Sequence, residues 1–323
     1  MLLRTAIALS PSSVSVSVSA VAAMTTTTSS STSCNAVARR AAIAQLRSTN
    51  DKIDNLINVA KCAGWAKRNG AIMLFLPECL GFMGDNAEQT LMEADPPIIS
   101  ATQSYQADEH ESDGPFCPMT TPLREILSQT ITNACGGDEQ DEQQLSLAME
   151  SISASSHSIS IVDELRFIAY KSRLWISGGG VHTKMTMPRS TTPDTAITTT
   201  PTNTNIDTTK EIHENKIHNT HVIIDDRGQI QAHYHKIHLF DVSIPGKVEL
   251  RESNTTFPGT KLVVCDSPIG KLGLSICYDM RFAEMYVELV QKRGAQVLLM
   301  PSAFTVPTGR AHWHALLRGE FDY

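Results

Sequence analysis

The clearest hydrophobic pattern lies between Leu272 and Met300. Leu272–Ile276 is a short apolar run bounded by Gly270, which predicts a buried strand. Apolar residues then recur at helical spacing up to two basic residues and Gly294, which predicts a helix and its C-terminal end. These apolar residues are Phe282, Met285, Tyr286, Leu289 and Val290. Gln296–Met300 predicts a second strand, so the segment reads as strand, turn, helix and strand.

Cys277 occupies the turn after the first of these strands. A residue in this position is held by a rigid strand and remains accessible, as in a nucleophile elbow. A helix N-terminus beside the sulfur would also favour the thiolate, which is the nucleophilic form. Because most cysteines at strand ends are buried and inert, a catalytic interpretation depends on partners elsewhere in the chain.

Glu78 is the first candidate partner. The apolar run Ala71–Leu76 predicts a strand, and Pro77 and Glu78 follow it directly. This pattern places a carboxylate at the C-terminal end of a strand, where ligands bind in α/β sheets. For an isolated glutamate, the alternative is a solvated loop residue.

Lys236 is the second candidate partner. Asp226–Gly228 is a turn signal between two predicted strands. In the second strand, Ala232, Tyr234 and Lys236 share one face by the period of two. A surface lysine would more often lie on the opposite face, so the pattern singles out Lys236.

The rest of the chain divides into one more predicted helix, a leader and two inserts. Asp51–Asn69 has helical periodicity and ends before Gly70. Residues 1–38 are rich in Ser, Thr, Val and Ala and carry no acidic side chain, which is typical of an organelle transit peptide or a disordered leader. Residues 94–160 and 184–210 are polar and read as surface loops with little fixed structure. The remainder, 39–323, is expected to form the functional domain.

Composition narrows the class of protein. The chain has 323 residues, 41% of them hydrophobic, and a net charge of −7, as expected for a globular enzyme of one large or two small domains. An acidic chain without a basic stripe argues against nucleic acid as a partner. No apolar run approaches the ~20 residues needed to span a membrane. Seven cysteines without a C-x-x-C pair favour free thiols in a reducing compartment.

Three runs carry the candidate residues in a familiar order: L-F-L-P-E with Glu78, H-K-I-H-L-F-D with Lys236 and I-C-Y-D-M-R-F with Cys277. They closely resemble the nitrilase superfamily of carbon–nitrogen hydrolases, and within it the Nit branch of deaminated-glutathione amidases. Other similar runs, including R-E-S-N-T-T-F-P-G and P-S-A-F, extend the resemblance over residues 41–318 apart from the two inserts.

The resemblance implies a cysteine mechanism without a metal or another cofactor. Cys277 would attack an amide carbonyl, and Glu78 would act as the general base. Lys236 and the backbone N–H of Tyr278 would stabilise the oxyanion, with Glu252 supporting the lysine. No histidine shows the spacing of a metal ligand with a plausible partner.

Three further residues are candidates for binding the substrate. Arg281 is a hypothetical partner for a substrate carboxylate, because its planar fork suits that group. The alternative is an arginine paired with Glu284 or Glu288 on its own helix. His312 and Trp313, in the similar run T-G-R-A-H-W, are candidates for shaping the substrate site.

The alternation of strand and helix predicts an α/β protein, and the resemblance specifies a four-layer α-β-β-α sandwich. Members of the superfamily continue beyond the point where this sequence stops at Tyr323, so the fold is expected to be incomplete at its C-terminus. A homodimer is expected if the fold is complete.

Three functions remain open from the sequence. The first is an amidase that converts deaminated glutathione into 2-oxoglutarate and cysteinylglycine. The second is an ω-amidase acting on 2-oxoglutaramate, and the third is a truncated, non-catalytic relative. A transit peptide would direct the protein to mitochondria or another organelle, whereas translation from Met24 would leave it in the cytoplasm.

Overall fold

A computed structural model describes residues 3–7, 19–24, 39–98, 121–136, 159–185, 216–244, 246 and 248–319. The α-helices of these residues are α1 (Lys52–Arg68), α2 (Ala87–Met92), α3 (Pro122–Gly136), α4 (Ile161–Ser172), α5 (Ala283–Val287) and α6 (Val306–Gly319). The strands are β1 (Leu3–Ile7), β2 (Ser19–Met24), β3 (Arg39–Ile43), β4 (Ala71–Phe75), β5 (Trp175–Lys184), β6 (Ile217–Ile224), β7 (Ile230–His235), β8 (Asp241–Ile244), β9 (Val248–Arg251), β10 (Val264–Cys265), β11 (Leu272–Leu274) and β12 (Val297–Pro301).

The strands form two sheets and a ribbon. The larger sheet has six strands in the order β2-β3-β4-β5-β6-β7, with β3, β4 and β5 parallel to one another. The smaller sheet has the order β1-β12-β11-β10, and β11 is parallel to β12. Strands β8 and β9 pair antiparallel as a separate ribbon.

The six-stranded sheet separates two hydrophobic cores. Along β4, Leu74 belongs to the core shared with α1, α3 and α4, whereas Met73 and Phe75 belong to the core shared with the four-stranded sheet. This alternation follows from the period of two in a strand. The second core also contains Met285 and Leu289, from α5 and the turn after it. The prediction of an α/β fold is confirmed, and this order of layers is consistent with the four-layer sandwich.

The predicted helices and strands around the site are present, with one change. Helix α1 begins after Asp51, whose Oδ1 accepts hydrogen bonds from two backbone N–H groups of the first turn, and Gly70 follows its end with a φ of 73°. The helix expected after Cys277 is broken into a 3₁₀ turn (Cys277–Arg281), α5 and a π-helical turn (Glu288–Lys292).

The expectation of an unstructured insert over residues 94–160 is wrong for residues 122–136. These residues form α3, which packs on α1 through apolar side chains at helical spacing. They are Leu123, Ile126, Leu127 and Ile131. The packing is close, because a Cβ added at Gly64 of α1 would lie 2.5 Å from the carbonyl oxygen of Ile131. The segment is therefore part of the helical layer.

Two short segments of the predicted leader are strands. β1 pairs in parallel with β12, and β2 pairs antiparallel with β3, so each extends the edge of one sheet. Whether the leader acts as a transit peptide stays a prediction. Most of the second insert, 184–210, lies outside the described residues. Within the described part of the chain, each helix is too short or too polar to cross a membrane.

Candidate active site

The ends of three strands bring Glu78, Lys236 and Cys277 together. Glu78 lies three residues after β4, Lys236 directly follows β7, and Cys277 lies three residues after β11. The first two side chains belong to the six-stranded sheet and the third to the four-stranded sheet, so the site lies between the sheets. Glu78 and Lys236 are 5% and 3% exposed, and Cys277 is half-buried.

Lys236 lies between two carboxylates. Its Nζ is 2.8 Å from Glu252 Oε2 and 3.5 Å from Glu78 Oε1. Burial opposes the charge on Lys236, but the negative charges around it, those of Glu78 and Glu252 among them, outweigh burial and raise the lysine pKa above its ordinary value. The fourth predicted residue, Glu252, therefore lies where the sequence places it, beside the lysine.

The ribbon holds Glu252 in this position. Glu252 directly follows β9, and its Oε2 also accepts a hydrogen bond from the N–H of Phe240, 2.7 Å away, just before β8. The backbone N–H of Glu252 in turn donates to the Phe240 carbonyl at 3.2 Å. The Glu252 carboxylate thus connects the end of the ribbon near Phe240 to Lys236.

Cys277 has a backbone φ of 46°, in the strained left-handed region that a nucleophile elbow uses. Its thiol lies beside the Glu78 side chain and the backbone N–H of Ala303. Burial and the Glu78 carboxylate raise the cysteine pKa well above its ordinary value, although Lys236 and the Ala303 N–H oppose the shift.

The expectation that a helix N-terminus favours the Cys277 thiolate is therefore wrong. A short 3₁₀ turn follows the cysteine, so the dipole is small, and desolvation and the neighbouring carboxylate prevail. The sulfur is held as a thiol beside a carboxylate that can accept its proton.

Two residues that the sequence did not single out hold the Glu78 carboxylate. Asn219 Nδ2 donates to Glu78 Oε1 at 2.9 Å, and the backbone N–H of Ala303 donates to Oε2 at 2.9 Å. Ala303 belongs to the run P-S-A-F, one of the runs that carry the family resemblance. No local pattern marks Asn219, because Glu78 is 141 residues away in the sequence.

Asp279 links the turn around Cys277 to the segment around Lys236 through hydrogen bonds. Its buried carboxylate accepts hydrogen bonds from the Tyr234 hydroxyl at 2.7 Å and from the Ile276 N–H at 2.8 Å. It also accepts from the His238 N–H at 3.0 Å and contacts His238 Nδ1 at 2.8 Å. Burial, followed by the Asp279 charge, raises the pKa of Tyr234, so its hydroxyl remains a donor.

Two aromatic rings pack against Tyr278, the residue after Cys277. Tyr278 meets Phe240 and Phe282 edge-to-face, with ring centroids 5.2 Å and 5.8 Å apart. His238 stacks on Phe282 with centroids 3.6 Å apart. The exposed Arg281 guanidinium lies 5.6 Å from the centroid of the Tyr278 ring.

Arg281 does not form the alternative ion pair with Glu284 or Glu288. Glu288 is instead paired with Lys292 at 3.7 Å and with Arg293 at 3.3 Å. Arg281 forms no ion pair with any of the residues that the structure describes, so its charge remains available beside the aromatic rings.

The last two candidates lie on α6. Trp313 is half-buried and packs edge-to-face on Phe304, with ring centroids 5.6 Å apart. Phe304 lies three residues after β12. His312 is exposed, and the structure does not bring it to the carboxylates or the thiol. Among the described residues there is no cluster of three or more His, Cys, Asp or Glu side chains arranged to hold a metal ion.

The chain is similar to several known proteins. The family model of carbon–nitrogen hydrolases matches residues 40–320. The deaminated glutathione amidase of Dictyostelium discoideum is 32% identical over 281 residues, which cover 87% of this chain and 69% of that protein. The human omega-amidase NIT2 is 46% identical over 103 residues, which cover 32% of this chain and 37% of that protein. The crystal structure of the Caenorhabditis elegans NitFhit protein superposes with a TM-score of 0.54 and 30% identity, covering 87% of this chain and 47% of that one.

Proposed function

We propose that this chain, which belongs to the carbon–nitrogen hydrolase family, hydrolyses the amide of deaminated glutathione to 2-oxoglutarate and cysteinylglycine. The observation that carries the proposal is a buried carboxylate, Glu78, that contacts a buried lysine and lies beside the half-buried thiol of Cys277. An amide carbonyl is a poor electrophile, so its hydrolysis benefits from a covalent intermediate on such a thiol.

The first half of the reaction forms a thioester. Cys277 Sγ attacks the amide carbonyl carbon while the Glu78 carboxylate takes the thiol proton. The carbonyl oxygen becomes an oxyanion, stabilised by the Lys236 ammonium and the backbone N–H of Tyr278. When the tetrahedral intermediate collapses, the C–N bond breaks, and Glu78 returns its proton to the departing amine.

The second half hydrolyses the thioester. Glu78, again a carboxylate, takes a proton from water, and the resulting hydroxide attacks the thioester carbonyl. The C–S bond breaks, the acid is released, and the proton on Glu78 returns to the thiolate. The raised pKa of the Cys277 thiol supports this scheme, because a thiol that keeps its proton needs a base at the moment of attack.

Lys236 suits its proposed role because its charge is permanent at neutral pH. The neighbouring carboxylates raise its pKa despite burial, so the ammonium does not lose its proton as the oxyanion forms. Glu252, 2.8 Å from the same nitrogen, balances that charge when Glu78 is protonated during the reaction.

We assign recognition of a substrate carboxylate to Arg281. The guanidinium is exposed beside Tyr278, the residue that follows the nucleophile. Deaminated glutathione carries one carboxylate in its 2-oxo acid portion and a second in its glycine portion, and a bidentate contact with an arginine suits either group. The aromatic rings of Phe240, Tyr278 and Phe282 would cover the chain between the carboxylates and the amide.

The second candidate is the ω-amidase reaction on 2-oxoglutaramate. It is favoured by the 46% identity with the human omega-amidase, although that match covers only 32% of this chain. Both substrates would place the same 2-oxoglutaryl group on Cys277 and differ in the amine that leaves. The acyl-enzyme therefore cannot distinguish them, whereas kcat/KM for release of cysteinylglycine and of ammonia can.

The test is intact-protein mass spectrometry of the wild type and Cys277→Ala after addition of deaminated glutathione. A transient 2-oxoglutaryl adduct on the wild type, absent from the variant and accompanied by release of cysteinylglycine, is expected. Faster turnover of 2-oxoglutaramate would favour the ω-amidase. A folded protein that forms no adduct with either substrate would contradict both enzymatic functions and favour a non-catalytic relative.

Two further properties belong to the proposal. If the fold is complete, the protein is expected to be a homodimer, which light scattering would check. It is also expected in an organelle, or in the cytoplasm if translation starts at Met24. Sequencing the N-terminus of the mature protein would show whether the leader is removed.

A further inference from the structure

Asn219 contacts three of the four residues proposed for the chemistry. Its side-chain nitrogen is 2.9 Å from Glu78 Oε1 and 3.5 Å from Glu252 Oε1. Its backbone carbonyl accepts the N–H of Lys236 at 2.9 Å. The side chain is 3% exposed and lies on β6, beside the strand that ends at the lysine.

The orientation of the Asn219 amide is fixed by charge. Both carboxylates face the NH₂ group, so the amide oxygen must point the other way. That oxygen, Asn219 Oδ1, is buried and has no hydrogen-bond partner among the described residues. A buried acceptor without a partner is unfavourable. The arrangement therefore gives both carboxylates a hydrogen-bond donor and leaves the amide oxygen without one among the described residues.

Gly180 provides the space for this arrangement. A Cβ added at Gly180 would lie 2.9 Å from Asn219 Oδ1 and 3.0 Å from Glu78 Cγ. A glycine on β5 therefore lets the amide and the base lie side by side. The backbone of the same residue is bridged in parallel to Glu78, which ties the base to β5.

We infer that Asn219 is a positioning residue for the general base, and that it acts as a neutral hydrogen-bond donor between the two carboxylates. It occupies Glu78 Oε1 while the Ala303 N–H occupies Oε2, so both oxygens are held and the carboxylate plane is fixed relative to the Cys277 thiol. Because the donor is uncharged, it adds no second cation that would compete with Lys236. This inference rests on the proposed function in assuming that Glu78 receives the thiol proton.

The test follows alkylation of Cys277 by iodoacetamide as a function of pH, located by peptide mass spectrometry. This reaction forms an S–C bond, expels iodide and transfers the thiol proton to the base, so it reports on the thiol and carboxylate without an amide substrate. Failure of the proposed substrate would therefore not affect the result.

Two variants separate donation from size. Asn219→Ala is expected to slow alkylation at neutral pH by about tenfold, at the low end of what a positioned base contributes. Asn219→Asp has the same shape but no donor when ionised, so it is expected to be slower than Asn219→Ala at high pH. At low pH the aspartic acid becomes protonated and can donate, so its rate relative to Asn219→Ala should rise.

Thr183→Val is the matched control. Thr183 is fully buried on β5 and bonds to Thr220 of β6 at 2.7 Å, so this variant also removes a buried hydrogen bond between the same strands. Its alkylation profile should match that of the wild type. If Asn219→Ala does not fold, Asn219→Asp carries the test through its pH dependence relative to the wild type, because it keeps the size of the side chain.

Three outcomes would overturn the inference. Folded Asn219 variants that alkylate like the wild type would show that the base needs no such support. An equal loss in Thr183→Val would assign the effect to general packing. A rate for Asn219→Asp equal to that of Asn219→Ala at every pH would exclude hydrogen-bond donation as the cause.

Discussion

At the scale of single residues, Lys236 concentrates the electrostatics of the site. We expect Lys236→Met to abolish turnover and to lower the free energy of unfolding by about 3–5 kcal/mol, because it leaves the buried Glu78 and the partly buried Glu252 without a cation. Urea unfolding measures the change. Lys271→Met is the control, since Lys271 lies 4.0 Å from an aspartate that is 90% exposed and should contribute less than about 1 kcal/mol. Equal losses in the two variants would contradict the ion-pair interpretation.

The site contains two cysteines, Cys277 and Cys79, and only Cys277 is expected to react. Cys79 directly follows Glu78 and, like Cys277, has a left-handed backbone, with a φ of 55°. Burial raises the pKa of the Cys79 thiol, followed by the charge of Glu78. We expect Cys277→Ala to abolish labelling by an electrophilic substrate and Cys79→Ala to leave it largely intact. Intact-mass measurement checks this, and equal labelling of both variants would count against Cys277 as the nucleophile.

Which of these residues a sequence can reveal depends on how local the signal is. Glu78, Lys236 and Cys277 each lie just past a strand whose apolar pattern can be read alone. The roles of Asn219 and Asp279 arise from hydrogen bonds to residues distant in sequence, so no window of the chain displays them. The state of the Cys277 thiol was mispredicted because desolvation depends on the packed sheets.

At the scale of secondary-structure elements, His221 connects the two sheets. From β6 its Nδ1–H donates to the Ser275 carbonyl beside β11 at 3.0 Å, and its Nε2 accepts from the Ser177 hydroxyl of β5 at 2.7 Å. The neutral ring satisfies both contacts. Burial lowers the pKa of His221 from 6.5 to about 4, although the Ser275 carbonyl partly opposes the shift.

This histidine should make stability depend on pH. Its folded-state pKa is lowered, so its contribution is complete above pH 6.5 and is lost as the pH falls towards 4. The loss amounts to about 3 kcal/mol. We expect His221→Gln to be less stable at pH 7 but to lose less on acidification, as measured by urea unfolding at several pH values. His312→Gln, on exposed α6, should retain the wild-type slope, and an unchanged slope in His221→Gln would contradict the assignment.

Helix α3 provides a test of the insert. Leu127 is fully buried against α1, so Leu127→Ala should cost about 2–5 kcal/mol of unfolding free energy. Leu250→Ala, at a position 54% exposed on the ribbon, should change it by less than about 0.5 kcal/mol. Thermal or urea unfolding would measure both, and a small effect at Leu127 would restore the interpretation of a loose loop.

The pattern of α3 was present in the sequence but obscured by its surroundings. Leu123, Ile126, Leu127 and Ile131 repeat at helical spacing. Acidic runs lie on both sides, and averaging over the whole segment makes it look polar. An element with a regular apolar period, such as α1 or β4, can be predicted when the period is examined over that element alone.

At the scale of the whole molecule, pairing of the strands was the least accessible feature. The sequence predicts individual strands, but the order β2-β3-β4-β5-β6-β7 is set by contacts between distant segments. The family resemblance supplied what local patterns could not, namely two sheets packed face to face. It did not supply β1 and β2, which extend the sheet edges from within the predicted leader.

Because the site lies between the two sheets, turnover depends on the distance between them. The base and the lysine belong to one sheet and the thiol to the other, so a separation of a few ångströms would interrupt proton transfer while both sheets kept their own hydrogen bonds. In a urea titration, we expect activity to disappear at lower concentrations than the far-ultraviolet circular dichroism signal. Coincident curves would show that the sheets part only when the whole domain unfolds. If the activity is lost first, inhibitors or solutes that loosen the packing between the layers would stop the enzyme without entering its active site.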